Sequence, residues 1–393
     1  MDTRHVGWTK LEAFQLFSPD GPLCQKIQKL DWSGSAPAFR FLPLFFPPTI
    51  RSFCISAIRF RNGDEDVGIE NEVLAEIIPR PNASTLTRVQ ISVSPSLTPG
   101  VQEEISSLVL RCGPALISLE ITKPLSEPAF LHAITLPNLR EFSVHNRPPP
   151  KVPESTTIFP SLDRFNLTTV FHSQWVSFIG SRPSRNSRTP MTNELGTPHS
   201  TLQTLAPFSH GGSGPVAIGQ TPAFVNLTTL NIPGLCPGDG TCAFSLTDND
   251  VDRLAIALPR LTYLMLGVIR CGRNACKTTF RSYLSLSVYC SELCYLEIHI
   301  NTDDILSDIR ASLGAGDPEM GKPGPHRKCR LRLLDLNSTP LELPSHSDCE
   351  SIARGLLDVF PMLVMISVWD EQGRNNMWRR VQQQISRLRT LDM

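Results

Sequence analysis

The chain has 393 residues, 40% of them hydrophobic, with 37 basic and 37 acidic side chains that leave no net charge and a mean hydropathy of −0.08. That is apolar material for a large core, without the run of about 18 apolar residues that a membrane crossing needs, and without the basic surplus of a duplex-DNA binder. Eleven cysteines, an odd number, follow a start (MDTRHVGWTKLEAF) that carries no apolar signal run, which points to an intracellular, reducing compartment (cytoplasm or nucleus) and to free thiols.

In chain order one spacing recurs, L-x-x-L-x-L, with any apolar residue allowed at L. Its copies are Ile27/Leu30/Trp32, Ile50/Phe53/Ile55, Leu86/Val89/Ile91, Leu116/Leu119/Ile121, Leu139/Phe142/Val144 and Leu162/Phe165/Leu167. Beyond a gap come Leu227/Leu230/Ile232, Leu261/Leu264/Leu266, Leu293/Leu296/Ile298, Leu331/Leu334/Leu336, Leu363/Ile366/Val368 and Leu388/Leu391/Met393. The last two apolar positions of each copy alternate, as on one face of a strand. Successive copies start 23 to 38 residues apart, except for a step of 65 after Leu162, which predicts a skipped copy plus an insertion. A further apolar residue stands three places before the first L at Cys24, Leu136, Phe159, Phe224, Leu258, Cys290 and Phe360, and is expected to end the preceding helix.

Between the copies, helical spacing is present over 69–78, 99–111, 247–258, 280–289, 303–313, 348–360 and 375–385. In 247–258, Thr247 and Asp250 resemble a capping box, and Val251, Leu254, Ala255 and Leu258 fall at i, i+3, i+4 and i+7. One short parallel strand and one helix per unit make an α/β solenoid, in which neighbours share a core that no unit buries alone. A doubly wound α/β sheet shows the same alternation, but wants near-continuous apolar strands and often a Gly-rich nucleotide turn, and neither is present.

Four regions follow: 1–23, an amino-terminal cap or remnant; 24–179, the first half of the repeats; 180–223, an insertion; and 224–393, the second half. Of the insertion's 44 residues, 24 are Gly, Pro, Ser or Thr, too little apolar content to offset the entropy of ordering. Arg182, Arg185 and Arg188 alternate there with Ser181, Ser184 and Ser187, a pattern read as a solvated loop ahead of a phosphosite cluster. Residues 147–153 and 314–326 are smaller breaks, and 388–393 is expected to be a last strand without a polar cap.

Motifs for catalysis are weak. Cys271-x4-Cys276 with Cys290-x3-Cys294 lacks the two-residue knuckles of a zinc site, and Cys290 already fills a buried repeat position. Cys236 and Cys242 are weaker still. Ser209 to Gly214 is similar to an esterase oxyanion loop, but no G-x-S-x-G elbow exists. No HExxH, GxxxxGK[ST] or GxGxxG occurs. The sequons at Asn82, Asn166, Asn226 and Asn337 read as chance matches. The expectation is a non-catalytic chain with no cofactor and no metal.

The phrases LPNLREFSV (136–144), FPSLDRFNL (159–167), LPRLTYLML (258–266) and CSELCYLEI (290–298) look like leucine-rich repeats. With FSLTDNDVDRLAIALPRLTYLMLG and SIARGLLDVFPMLVMI, the run over about 20–393 resembles the repeat region of the fungal (basidiomycete-type) F-box leucine-rich-repeat family. The resemblance implies a horseshoe solenoid whose repeats capture a protein substrate for a cullin ubiquitin ligase, while an F-box docks a Skp-type adaptor. No F-box opening stands before Cys24, so that adaptor is expected only if an F-box lies upstream; the alternative is a free-standing scaffold.

Side chains alternate faces along a strand, so the positions between the apolar ones face away from the helices. In the second half these are Tyr263, Met265, Gly267, Tyr295, Glu297, His299, Leu333, Asp335, Asn337, Met365, Ser367 and Trp369. An aromatic and apolar stripe with a polar rim is the expected partner-binding, concave face. Its competitor is a loop or helix that covers the stripe as ordinary core.

Overall fold

The first eleven copies of the spacing become strands that pair in sequence order. The computed structural model describes residues 22–34, 36–57, 65–93, 97–145, 148–149, 151–152, 158–168, 172–181, 224, 226–232, 234–235, 246–266, 268–269, 277–314, 329–336, 346–368 and 376–391. The strands are β1 (Lys29–Gly34), β2 (Ser52–Ala57), β3 (Arg88–Ser92), β4 (Ser118–Ile121), β5 (Glu141–His145), β6 (Arg164–Thr168), β7 (Thr229–Asn231), β8 (Gly234–Leu235), β9 (Tyr263–Leu266), β10 (Val268–Ile269), β11 (Tyr295–Ile298), β12 (Leu333–Asp335) and β13 (Met365–Ser367). All but β8 and β10, which pair with each other, form one open parallel sheet whose order follows the chain.

The register is set by the apolar pattern. Leu30, Phe53, Val89, Leu119, Phe142, Phe165, Leu230, Leu264, Leu296, Leu334 and Ile366 stand in one line across the sheet. A slip of one residue would turn every one of them to the opposite face. A backbone ladder runs just ahead of the strands: the Arg51 amide donates to the Gln28 carbonyl at 2.8 Å, Thr87 to Arg51 at 2.7 Å, and so on to Val364, which donates to Arg332 at 2.9 Å.

The apolar residue three places before each copy opens a turn. The amide of the first L donates back to its carbonyl at Leu136 (3.5 Å), Phe159 (3.3 Å), Phe224 (3.0 Å), Leu258 (3.2 Å), Cys290 (3.1 Å) and Phe360 (2.9 Å). Leu136, Leu258 and Cys290 are helix C-caps, as expected. Phe159 and Phe224 differ: both sit at positive φ, 51° and 69°, a conformation that bulky residues rarely adopt. Burial of the rings offsets the strain, since each is 1% exposed and their centroids lie 5.4 Å apart.

Helices at 65–77, 99–111, 248–257, 280–289, 305–314 and 346–359 match the spacing read from the sequence within a few residues, and the last, read over 375–385, runs 376–391. Consecutive helices pack on one another from 65–77 to 127–135 and from 172–181 to 376–391. The Thr247–Asp250 capping box forms in full. Two helices, Glu127–Thr135 and His172–Ser181, lack a long enough apolar period to be seen in the sequence. The apolar line of the strands, the helices and the turn residues form one continuous core, and this two-layer parallel coil is a leucine-rich-repeat solenoid.

Three expectations are corrected. No copy is skipped in the step of 65: β6 pairs directly with β7, Phe165 opposite Leu230, and Thr228 donates to the Asp163 carbonyl at 2.9 Å. Gly180 and Ser181 end a helix rather than open the insertion, and 182–223 lies outside the described residues. Finally, Leu388 and Leu391 belong to the helix Asn376–Leu391, not to a strand. With Trp378, Val381 and Ile385 they continue a helical period, and a three-residue spacing fits helix and repeat template alike. Residues 1–21, residues 315–326 of the smaller break and Trp369 also lie outside the described residues, while Gly314 ends a helix.

Candidate functional site

The face opposite the helices carries the residues between the apolar ones. Register sets them in rows. One row runs Arg164, Thr229, Tyr263, Tyr295, Leu333 and Met365; the next runs Asn166, Asn231, Met265, Glu297, Asp335 and Ser367. Parallel strands lie about 4.8 Å apart, so like side chains in one row meet directly. The Tyr263 and Tyr295 rings do so, with centroids 4.3 Å apart and planes 4° from parallel.

The hydroxyls anchor the pair. Tyr295 donates to Glu297 Oε2 at 3.0 Å, and Asp335 Oδ2 stands 3.4 Å from the same hydroxyl. The Tyr263 hydroxyl faces Met265 Sδ at 3.8 Å. Burial, and then the charges of Glu297 and Asp335, push the Tyr295 hydroxyl above the ordinary tyrosine value of 10. Tyr263 moves up as well, through burial first; its hydrogen bond with Tyr295 opposes the shift and the two carboxylates add to it.

These shifts have a consequence for stability. Above pH 10 the unfolded chain releases both phenolic protons while the folded chain keeps them. The tyrosines' contribution is thus fully present below pH 10 and is lost as pH climbs through the folded values. In alkaline titration followed by phenolate absorbance, the difference between the wild type and the variant carrying Tyr263→Phe and Tyr295→Phe is expected to appear above pH 10. A difference centred at 10 would contradict the arrangement.

The predicted residues do not share one environment. Tyr263, Met265, Tyr295, Leu333 and Asp335 are half-buried, and Met365 is 45% exposed. Glu297 and His299 belong to the same face, but are only 3% and 7% exposed. They are therefore buried and not part of an exposed rim, a difference that strand alternation alone has no means to foresee. Thr278 holds the start of the helix Phe280–Tyr289 to this place by donating to the His299 carbonyl. Trp369 lies outside the described residues.

Sequence reading passed over Thr229 and Asn231, which pair with Tyr263 and Met265. Their signal was available, since they hold the equivalent template positions in the copy that starts at Leu227. It also passed over Met362 and Val364, 39% and 54% exposed beside Met365 at the sheet's end. In the first half the same face is mixed in charge, with Arg88, Glu120, Glu141 and Arg164; the Arg164 guanidinium meets Glu141 Oε1 at 3.3 Å.

Cys290 and Cys294 sit in different environments. Cys290 is fully buried and points at the carbonyls of Ala255 and Leu258, at 3.7 and 3.5 Å, whereas Cys294 is exposed. Burial holds the Cys290 thiol high, and the Cys112 thiol at about 12. Among the described residues no group of three or more His, Cys, Asp or Glu is placed to hold a metal ion. Cys236, Cys242, Cys271, Cys276 and the 209–214 segment lie outside them. No helix among the described residues is long and apolar enough to cross a membrane.

No protein-family model matches the chain, and no curated protein matches it. Among solved structures, a chain of the Rad7 and Elc1 complex in yeast is similar at 12% identity and a TM-score of 0.38, covering 88% of this chain and 72% of that one. The leucine-rich repeat-containing protein LegL7 from Legionella pneumophila is similar at 11% identity and a TM-score of 0.34, covering 96% of each chain. Both scores are under 0.5; the fold rests on strand order and register.

Proposed function

We propose that this chain is a non-catalytic binding protein that holds a protein partner on the strand face opposite its helices, centred on the second half of the sheet. The observation that carries this reading is the Tyr263–Tyr295 stack, continued in the same row by Leu333 and the exposed Met365. Aromatic residues on a rigid scaffold present large contact area at little cost in side-chain entropy, and a parallel sheet fixes their spacing before any partner arrives.

The finer reading comes from the resemblance to fungal F-box leucine-rich-repeat proteins: substrate recognition for a cullin-type ubiquitin ligase, inside the cell. The alternative is a scaffold with no ligase link. Pull-down with a purified Skp-type adaptor separates them, using both this chain and any longer transcript. Binding by either supports the ligase role, and binding by neither favours the scaffold.

For the face itself, the variant carrying Tyr263→Ala and Tyr295→Ala is expected to lose at least tenfold in affinity for any partner captured by the wild type. Thermal unfolding should shift only modestly, because half-buried rings contribute less than core ones. Adding Trp369→Ala to Tyr295→Ala extends the test along the stripe. Unchanged capture would show that the stripe does not bind, and a large loss of stability would show these side chains to be core.

A further inference from the structure

The proposed face differs in charge from one end of the sheet to the other. Arg88, Glu120, Glu141 and Arg164 mix both signs in the first half. The eight outward positions of β9, β11, β12 and β13 are Tyr263, Met265, Tyr295, Glu297, Leu333, Asp335, Met365 and Ser367, two carboxylates and no lysine or arginine, with His299 just beyond β11. Glu297 and Asp335 are register partners, and both meet the hydroxyl of the stacked Tyr295. Glu297 is buried at 3% exposure and accepts from the ring's hydroxyl, while Asp335 is half-buried.

This combination has a chemical complement. A planar cation gains from the face of a tyrosine ring and from a carboxylate in reach of the same point. Guanidinium suits it better than ammonium, being flat, weakly hydrated and able to make a fork of hydrogen bonds. Resting on the binding role proposed above, we infer that the occupant of this face is a protein segment presenting an arginine, which lies against the Tyr263–Tyr295 stack and pairs with Asp335. The neighbouring Leu333 and Met365 accept the apolar residues beside that arginine.

The test uses the full chain and four pools of synthetic peptides, randomised around one central residue: arginine, lysine, citrulline or glutamate. Citrulline keeps the shape of arginine without its charge. The arginine pool is expected to bind at least tenfold more tightly than the citrulline and glutamate pools, and more tightly than the lysine pool. Asp335→Asn should remove that preference, with an unfolding midpoint close to wild type, and Tyr295→Ala should lower binding of every pool. Raised salt should weaken the arginine pool more than the citrulline pool. If all pools bind equally and Tyr295→Ala weakens them all, the arginine assignment falls and the binding face stands. If no pool binds, or binding ignores Tyr295→Ala, both readings fall.

Discussion

Phe165→Ala is expected to destabilise the protein by about 3–5 kcal/mol, the range for deleting a fully enclosed ring. Phe165 is 0% exposed and stands at the centre of an aromatic cluster. Its ring lies parallel to Phe142 with centroids 6.0 Å apart, 5.6 Å from Phe159 and 5.3 Å from Trp175. Phe159 in turn touches Phe224 at 5.4 Å, beyond the 182–223 segment. The cluster therefore joins the two sides of the longest step in the repeat. A solenoid couples only neighbouring units, so weakening this joint should also reduce cooperativity between 24–179 and 224–393. Calorimetry and native-state hydrogen exchange are expected to show a lower, broader transition, with the halves separating in protection. A cost under about 1 kcal/mol with a single sharp transition would mean that the cluster bridges nothing.

Gln382→Ala is expected to cost about 1–3 kcal/mol and to make the chain self-associate. β13 ends the sheet, and its outer edge exposes alternate backbone groups. The Ile366 amide donates to Gln382 Oε1 at 2.6 Å, and Gln382 Nε2 donates to the Val364 carbonyl at 3.1 Å. One side-chain amide thus does for two edge groups what a further strand would do. Arg389 adds donors to the carbonyls of Met362 (3.2 Å) and Leu363 (2.7 Å). The helix Asn376–Leu391 is therefore the carboxy-terminal cap of the sheet, and an uncapped edge is a template for pairing with a second chain. Light scattering and denaturant unfolding of Gln382→Ala check both effects. A monomeric variant with wild-type stability would show the edge to be protected in another way.

Much of this molecule is legible in one dimension, and the limits are physical. A strand buried on one side must alternate, and a unit that stacks on its neighbours must repeat; hence Leu30 through Ile366 could be placed in line from spacing, with the outward face read by subtraction. The Thr247–Asp250 cap was equally plain, because it is a contact between residues three apart. Spacing failed where two structures satisfy it: Leu388 and Leu391 fit strand template and helix, and the buried Trp378 and Val381 decided for the helix. Length also misled. The step of 65 read as a missing copy because sequence distance carries no information about which strands pair.

The sequence by itself determined that this chain is a repeating α/β coil with a stripe of Tyr263, Tyr295, Leu333 and Met365 turned away from the helices. Tertiary structure decided what surrounds that stripe: that two tyrosines stack, that Glu297 and His299 are buried rather than part of an exposed rim, and that one glutamine closes the sheet. Face and register follow from local periodicity. Burial, ring geometry and edge closure depend on side chains that arrive from units 16 to 40 residues away.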